Sequence, residues 1–257
     1  MPPVTVLANA HAAVRIEPSL GGRIASLVVD GTELLVTGGA DDHPMLWGSF
    51  PMVPWAGRIR DGRFRFDGRA YDVPRNLAPH SIHGTGYVAK WREHDDGALR
   101  HDFGADWPFG GHAVQRFVLD DVGLTCTIEV HAERPMPAAV GWHPWFRRPV
   151  DLTFAATHMY RRGGDGIADG SLVAATAGPW DDCFTGVATA PQLRWADGPT
   201  VTVTSSCDHW VVYDEPQHAL CVEPQSGPPD EFNLRGTEVT TVHPGRPLVA
   251  WMRLSWR

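Results

Sequence analysis

Short stretches in which apolar and polar residues alternate run along the whole chain, and glycine and proline separate them. The 257 residues include 27 glycines and 22 prolines, and positions 200–215 form the longest stretch that lacks both. That stretch is rich in β-branched residues, so it predicts strand structure and leaves almost no room for long helices. Further strands are predicted at positions 4–7, 24–29, 63–66, 113–119, 124–130, 220–223, 238–242 and 248–256.

Turn signals support the same fold class. Seven Asp-Gly pairs supply residues that tight hairpins favour, with aspartates at positions 30, 61, 67, 96, 165, 169 and 197. Residues 158–180 are rich in Gly, Ala and Asp and are expected to form long loops. Because many short strands indicate stacked sheets, we predict an all-β sandwich of antiparallel sheets in one domain spanning residues 1–257.

Charge and composition narrow the range of ligands. The formal net charge is -8, and no basic run marks a surface for nucleic acid. No apolar stretch approaches the ~18 residues that a membrane span needs. The N-terminal residues lack the pattern of a secretory signal, and the four cysteines show no C-x-x-C spacing, so we expect a cytoplasmic protein with reduced thiols. We expect a monomer or weak homodimer whose ligand is a small molecule, with no nucleic-acid or membrane partner.

Four clusters of residues carry the candidate chemistry. The usual nucleophile, phosphate-binding, dinucleotide-binding and zinc-protease motifs are missing from the sequence. The clusters instead combine ionisable residues with aromatics, glycine and proline, at positions 50–62, 76–86, 141–146 and 221–233. That mixture suits a sugar site, where ring faces pack on aromatic side chains and fixed polar groups hold the hydroxyls. A histidine and a glutamate there form an acid and base pair near neutral pH, with no metal and no redox cofactor required.

In chain order the clusters contain the segments AGRIRDG, SIHGTG, HPWF and EPQSGPPDEFN. These segments resemble motifs of the aldose 1-epimerases, the galactose mutarotase-like family, and occur in the family's order. Trp91 after the second segment and the DDCF segment at 181–184 also match the family pattern. The resemblance spans residues 15–256. It implies a galactose mutarotase-like β-sandwich of large antiparallel sheets that binds a monosaccharide on a concave face.

The resemblance also implies roles for individual residues. Glu223 matches the base that takes the proton from the C1 hydroxyl, and His143 matches the acid that protonates the ring oxygen. The ring then opens to the aldehyde, and reclosure on the other face gives the opposite anomer. His83 matches a second histidine near the ring oxygen, while Arg58 and Asp181 match residues that hold sugar hydroxyls.

Some assignments stay open at this stage. Asp181 and Asp182 form a doublet, and spacing to the following phenylalanine favours Asp181 as the residue that contacts the ligand. His80 is as suited to capping a loop as to touching substrate, and its H-x-x-H spacing with His83 lacks the further ligands of a zinc site. Trp145 replaces the family's tyrosine and is expected either to contact the sugar or to belong to the core.

Departures from the family motifs leave the substrate open. Gly57 replaces an asparagine, and the second motif has Thr85 between two glycines. A hexose phosphate would need arginines at the pocket, with candidates at positions 58, 60, 147 and 148. Two further functions fit the same residues, a non-catalytic carbohydrate-binding protein and a glycosidase that pairs Glu223 with Asp181.

Overall fold

Two large antiparallel sheets dominate the computed structural model, which describes residues 4–94 and 96–257 except for the side chain of residue 237. The first strands of the described chain are β1 Thr5–Ala8, β2 Ala12–Glu17, β3 Arg23–Val29, β4 Thr32–Glu33, β5 Ser49–Met52, β6 Arg58–Ile59, β7 Arg63–Phe66, β8 Arg69–Asp72, β9 Ser81–Ile82, β10 Arg92–Glu93, β11 Leu99–Asp102, β12 His112–Asp120 and β13 Gly123–His131. The remaining described strands are β14 Met136–Pro137, β15 Gly141–Arg147, β16 Asp151–Thr153, β17 His158–Arg162, β18 Ala168–Ala174, β19 Asp181–Thr185, β20 Gln192–Arg194, β21 Thr200–Ser205, β22 His209–Tyr213, β23 Ala219–Gln225, β24 Thr241–Val242 and β25 Leu248–Trp256.

Helical structure is short in the described part of the chain. One α-helical turn, α1, spans Glu231–Leu234. The 3₁₀ turns are Pro18–Leu20, Arg60–Gly62, Gly86–Val88 and Gly236–Glu238. These turns follow from the dense spacing of glycine and proline, which interrupts any long helical run.

Sheet order determines where the candidate residues lie. Within the described residues, the larger sheet has 11 strands in the order β1-β2-β3-β5-β15-β23-β22-β19-β17-β18, with β4 paired to β3. The second sheet has 8 strands in the order β10-β11-β12-β13-β25-β21-β20-β16. Three two-stranded sheets pair β14 with β24, β6 with β9 and β7 with β8. The prediction of an all-β sandwich is confirmed.

Side chains of the two sheets share one apolar core. Leu27 and Val222 from the larger sheet and Ile128 and Leu254 from the smaller one belong to a single buried cluster. A second, smaller cluster contains Phe50, Tyr87, Trp145 and Cys221 among others. Strand β15 joins the two clusters, because alternate side chains of a strand point to opposite faces. Its Trp142 and Phe146 lie in the main core, and its Trp145 lies in the smaller cluster.

Most strand predictions agree with the structure. The strands β7 and β25 match the predicted bounds 63–66 and 248–256, and the stretch 200–215 forms β21 and β22 in different sheets. Two Asp-Gly pairs, at 30–31 and 67–68, form two-residue hairpin turns with positive φ at both residues. The prediction of one domain stays a prediction.

Two expectations about secondary structure are wrong. Composition predicts long loops over residues 158–180, yet β17 and β18 form a hairpin there, and β17 pairs with β19 at the end of the larger sheet. The edge of β19 that does not pair with β22 supplies the backbone partners of β17, which local composition cannot indicate. Residues 238–242 read as one strand, but Glu238 lies in a 3₁₀ turn, and strand structure is limited to Thr241–Val242.

Candidate active site

A cavity of about 290 Å³ lies on the face of the larger sheet that carries the smaller cluster. Six of the eight sequence-predicted site residues line it: Arg58, His83, His143, Trp145, Asp181 and Glu223. The rest of the lining is His43, Met45, Leu46, Gly57, Leu77, Ile82, Val211, Tyr213, Gln225 and Pro229. A larger groove of about 780 Å³ runs along the β7–β8 hairpin, but its described lining contains neither histidine nor glutamate. The smaller cavity is therefore the candidate active site.

The register of two central strands brings the candidate acid and base together. Strand β15 pairs with β23 so that Gly141 faces Gln225 and Trp145 faces Cys221, which puts His143 opposite Glu223. His143 Nε2 lies 3.2 Å from Glu223 Oε1. Both side chains are buried, at 6% and 2% exposure. Cross-strand neighbours on one sheet face are held at this spacing by the ladder itself.

Gln225 holds the other oxygen of the carboxyl group. The strand continues through Pro224 to Gln225, so Gln225 lies on the same face as Glu223. Its Nε2 donates a hydrogen bond of 3.2 Å to Glu223 Oε2. Glu223 is thus oriented from both sides, and Oε1 is left for His143 and a ligand.

His83 reaches the site from a strained loop. Its backbone has φ 59°, a left-handed conformation that costs a non-glycine residue about 1–2 kcal/mol. The His83 N–H donates to the carbonyl of Gly57, and a Cβ at Gly84 would lie 1.9 Å from the carbonyl oxygen of Val53. Close backbone packing therefore requires glycine at 84 and holds His83 against the cavity.

Arginines hold a second carboxylate at the opposite side of the cavity. Asp181 Oδ2 accepts a 2.6 Å hydrogen bond from Arg162 and lies 3.8 Å from Arg58 NH2. Arg58 NH1 donates in turn to the carbonyl of Gly166. Asp181 stands two strands from Glu223, across β22, so a ligand that contacts both must span the face of three strands.

Burial changes the protonation of the central pair. It raises the pKa of Glu223 well above its ordinary value, with Asp181 adding to the rise and Arg58 opposing it. Burial lowers the pKa of His143 to about 3 and lowers that of His83 well below its ordinary value. The raised pKa of Glu223 favours its neutral carboxyl form, and the lowered pKa of His143 favours its neutral imidazole form.

The same residues have donor atoms that a metal ion could use. His83, His143 and Glu223 each offer one ligand atom, and these atoms lie within 4.8 Å of one another. Two imidazoles and a carboxylate are a common donor set for zinc. However, the Nδ1 atoms of both histidines are buried without a hydrogen-bond partner among the described residues, whereas the histidine ligands of zinc usually donate that N–H to a second group.

Two predicted residues lie outside the cavity lining. Asp182 lies beside a small adjoining cavity, with Arg162 Nε 3.5 Å from its Oδ1. The Nδ1 atom of His80 accepts a hydrogen bond from the Asp61 N–H, and this contact favours a structural role. Asp181 is the member of the doublet that lines the main cavity, as its spacing predicts.

Several residues of the site were missed by sequence reasoning. Gln225 stands inside the fourth motif two positions after Glu223, and the alternation of a strand would have identified it. Arg162 and Tyr213 had no such signal. Arg162 lies in the segment expected to be loop, and its contact with Asp181 depends on the pairing of β17 with β19.

Comparison with known proteins identifies the family. The family model described as Aldose 1-epimerase matches residues 3–255.

The chain belongs to the aldose 1-epimerase family.

A curated relative, the uncharacterized protein YphB of Escherichia coli (strain K12), is 30% identical over 154 residues, 56% of this chain. The match spans about half of that relative, at 52% of its length.

Solved structures share the fold at low sequence identity. A protein of Escherichia coli K12 named as a candidate aldose 1-epimerase superposes with a TM-score of 0.88 at 21% identity, covering 99% of both chains. A galactose mutarotase-like protein of Clostridium acetobutylicum gives a TM-score of 0.85 at 18% identity, covering 98% of this chain and 94% of its own. The galactose 1-epimerase of Lactobacillus acidophilus NCFM gives 0.82 at 17% identity, covering 98% and 93%. These likenesses establish the galactose mutarotase-like fold.

The structure explains one departure from the family motifs. Gly57 has φ 65°, a left-handed conformation that glycine and asparagine tolerate best. Glycine suits this position in a second way, because a Cβ at Gly57 would lie 2.9 Å from the Cα atom of Pro229. The neighbouring Arg58 reaches the cavity. Among the described residues, no helix has both the length and the apolar composition that crossing a bilayer requires.

Proposed function

We propose that this protein is an aldose 1-epimerase that interconverts the α and β anomers of a free monosaccharide. The observation that carries the proposal is the contact of 3.2 Å between His143 Nε2 and Glu223 Oε1 in a cavity of about 290 Å³. A buried histidine and a buried carboxyl group that face one ligand volume can move a proton to one sugar oxygen and take one from another.

The reaction needs one negatively charged group and one positively charged group in the pair. Glu223, as carboxylate, accepts the proton of the C1 hydroxyl while His143, as imidazolium, donates a proton to the ring oxygen. The bond from C1 to the ring oxygen breaks and the open-chain aldehyde forms. Rotation about the bond from C1 to C2 presents the other face of the aldehyde, and the two residues reverse their roles as the ring closes.

The proton count of the site fits this scheme. In the neutral forms that burial favours, a carboxyl group and an imidazole, the pair holds one proton that it can exchange. The active pair, carboxylate and imidazolium, also holds one proton. Transfer from Glu223 to His143 therefore prepares the site without exchange with solvent. A bound sugar hydroxyl and Arg58, which already opposes the rise in the pKa of Glu223, favour the carboxylate form.

The opposite side of the cavity suits the sugar's hydroxyl groups. Asp181 keeps acceptor positions free for hydroxyl donors because its Oδ2 is the atom that contacts Arg162 and Arg58. The ring centroid of His83 lies 5.1 Å from that of His143, which supports a role for His83 in holding the ring oxygen that His143 would protonate. These contacts would fix the ring so that its reacting atoms meet Glu223 and His143.

The arginines favour a free sugar over a sugar phosphate. Arg60 contacts Asp165 and Asp230, and Arg148 donates to the backbone carbonyls of Pro216, Ala219 and Asp214. Arg58 is engaged by Asp181, and Arg147 is exposed and absent from the cavity lining. A phosphate would therefore compete with existing partners for Arg58, Arg60 and Arg148.

Exchange NMR on a panel of sugars tests the proposal. The panel contains D-galactose, D-glucose, D-xylose and L-arabinose, with glucose 6-phosphate and galactose 6-phosphate for comparison. We expect faster anomer exchange on a free sugar with the wild-type protein and the uncatalysed rate with folded Glu223→Gln. If anomer exchange is accelerated only for the sugar phosphates, the substrate is a sugar phosphate and not a free sugar. Sugar binding without acceleration would instead indicate a carbohydrate-binding protein.

A further inference from the structure

The proposed acid has few polar contacts to hold it. His143 Nε2 faces Glu223, but its Nδ1 is buried and has no hydrogen-bond partner in the described part of the chain. In many acid-base sites a carboxylate or carbonyl at the second nitrogen fixes the ring and stabilises the imidazolium. The backbone of His143 itself raises the pKa of the ring against the effect of burial, but no other described residue bonds Nδ1. Further contacts must therefore help if His143 carries a positive charge during the reaction.

Aromatic rings surround the imidazole instead. The Phe50 ring lies 4.8 Å from the His143 ring between centroids, at an interplanar angle of 30°. The Trp145 ring lies 5.2 Å away and is almost parallel, at 9°. The His83 ring meets the same imidazole edge-on, at 5.1 Å and 90°. Sheet geometry explains the first two contacts, because Phe50 is the cross-strand neighbour of His143 and Trp145 is two residues along the same strand.

We propose that Trp145 is a positioning residue that holds the His143 imidazole towards the ring oxygen and stabilises its charged form through its π face. The inference rests on the proposed function for its catalytic meaning. The ring contact itself is a separate property, which can be measured without activity.

Trp145 is suited to this task because it is itself held in place. It is 3% exposed, it lies almost parallel to His218 at 6.0 Å and 14°, and the Tyr213 ring meets it edge-on at 6.0 Å. A ring fixed in this way loses little freedom when the imidazole becomes charged. Tryptophan binds a cation on its face better than tyrosine or phenylalanine does. The tryptophan in this chain's HPWF segment therefore gives stronger support to a charged histidine than the family's tyrosine would.

The stacking also argues against a simple role as a surface for the sugar ring. The indole is close to parallel with two imidazoles, those of His143 and His218, and its Nε1 is buried without a partner among the described residues. A sugar-stacking residue would affect substrate affinity. A residue that supports the acid would affect the rate at saturating substrate.

Three substitutions of Trp145 separate these roles. Trp145→Tyr and Trp145→Phe keep an aromatic ring, and Trp145→Leu removes it. The matched control is Trp251→Leu, because Trp251 lies on β25 of the other sheet, is 39% exposed and is absent from the cavity lining. Each variant is compared with wild type for kcat and KM by exchange NMR on the free sugar that wild type accelerates most.

We expect kcat of Trp145→Leu to fall about tenfold with KM nearly unchanged, because loss of the π face depopulates the imidazolium. The tyrosine and phenylalanine variants should recover most of the rate, and the control should match wild type. A raised KM with unchanged kcat would overturn the proposal and make Trp145 a stacking surface. Equal loss in all three variants would also overturn it.

A spectroscopic readout tests the same contact without turnover. In protein with ¹⁵N-labelled histidine, the Nε2 signal of His143 is assigned by its absence in His143→Gln. With D-galactose at saturation, the wild-type signal should show a larger imidazolium fraction than the Trp145→Leu signal. Identical shifts would refute the positioning role. If wild type accelerates no sugar, the proposed function fails. The same comparison, made without sugar as the pH is lowered from 7 towards 3, where the pKa of His143 lies, still decides whether Trp145 supports the imidazolium.

Discussion

Two buried glutamates of the same motif, Glu223 and Glu231, differ in almost everything except burial. Glu223 is 2% exposed and Glu231 is 3% exposed, and burial raises the pKa of both, that of Glu231 to about 7. Glu223 meets His143, Gln225 and the cavity. Glu231, on α1, lies outside the cavity lining, where the guanidinium nitrogen Arg235 Nε is 3.8 Å away and hydrogen bonding to Thr240 opposes the rise in its pKa.

The difference shows that a perturbed carboxyl group is not by itself a functional site. Desolvation raises the pKa of any buried acid, whatever surrounds it. What separates Glu223 is a partner that can exchange a proton with it and an open volume that a ligand can fill. Glu231 instead lies against the backbone, since a Cβ at Gly227 would come within 2.1 Å of its Oε2.

The largest expected effect comes from Glu223→Gln. The amide keeps the size of the side chain but cannot accept the C1 hydroxyl proton, so the rate should fall by about 10³-fold or more. Exchange NMR measures the rate, and circular dichroism checks the fold. Glu231→Gln is the matched control and should retain the wild-type rate. Equal losses in the two variants would erase the distinction between the two glutamates.

Removing the other half of the pair should have a slightly smaller effect. His143→Ala abolishes proton donation to the ring oxygen and should lower kcat by about 10²–10³-fold, since water can replace the acid only in part. The measurement is kcat by exchange NMR at saturating sugar. Residual activity close to wild type in a folded variant would remove His143 from the mechanism.

A third carboxylate, that of the half-buried Asp181, sharpens the comparison because arginines hold it. Arg162→Met removes its 2.6 Å hydrogen bond and should leave Asp181 poorly oriented for sugar hydroxyls. We expect KM to rise about tenfold with little change in kcat, as for the loss of one charge-assisted hydrogen bond. Arg161→Met on the same strand is the control, because Arg161 contacts the exposed Asp169 instead. A fall in kcat alone would place Arg162 in the chemistry.

The smallest effect is on stability and concerns Glu231. Its pKa in the folded protein is about 7, above the ordinary 4.5, so its contribution to stability is full below about pH 4.5 and is lost as pH rises through 7. The loss is at most about 3 kcal/mol. Glu231→Gln should therefore gain several degrees in Tm relative to wild type between pH 5 and pH 8. A Tm difference that does not change with pH would show that Glu231 ionises normally.

Local patterns predicted much of the fold because the strands are amphipathic or wholly apolar. Positions 63–66 and 248–256 form strands with the predicted bounds. The segment at 220–223 was predicted too short, since Pro224 reads as a strand end, yet β23 continues to Gln225. A proline is tolerated there because the neighbouring strands β15 and β22 still hold the residues on either side of it.

The loop prediction for residues 158–180 was wrong for a different reason. Its glycines and aspartates are concentrated in the turn between β17 and β18, and its strand residues are mostly exposed. Local sequence therefore carried little apolar signal, and pairing of β17 with β19 determined the strands. Arg162, which no sequence motif identifies, lies on the first of these strands.

The amino-acid sequence by itself determined the fold class, the family and the residue types of the candidate acid-base pair, because strand periodicity and motif letters are local properties. Only the tertiary structure decided which atoms meet: His143 opposite Glu223 through the register of β15 and β23, and Arg162 on Asp181 through the pairing of β17 with β19. It also decided protonation, because desolvation depends on what is packed around a group. For this reason two glutamates of one motif have different neighbours and different expected roles.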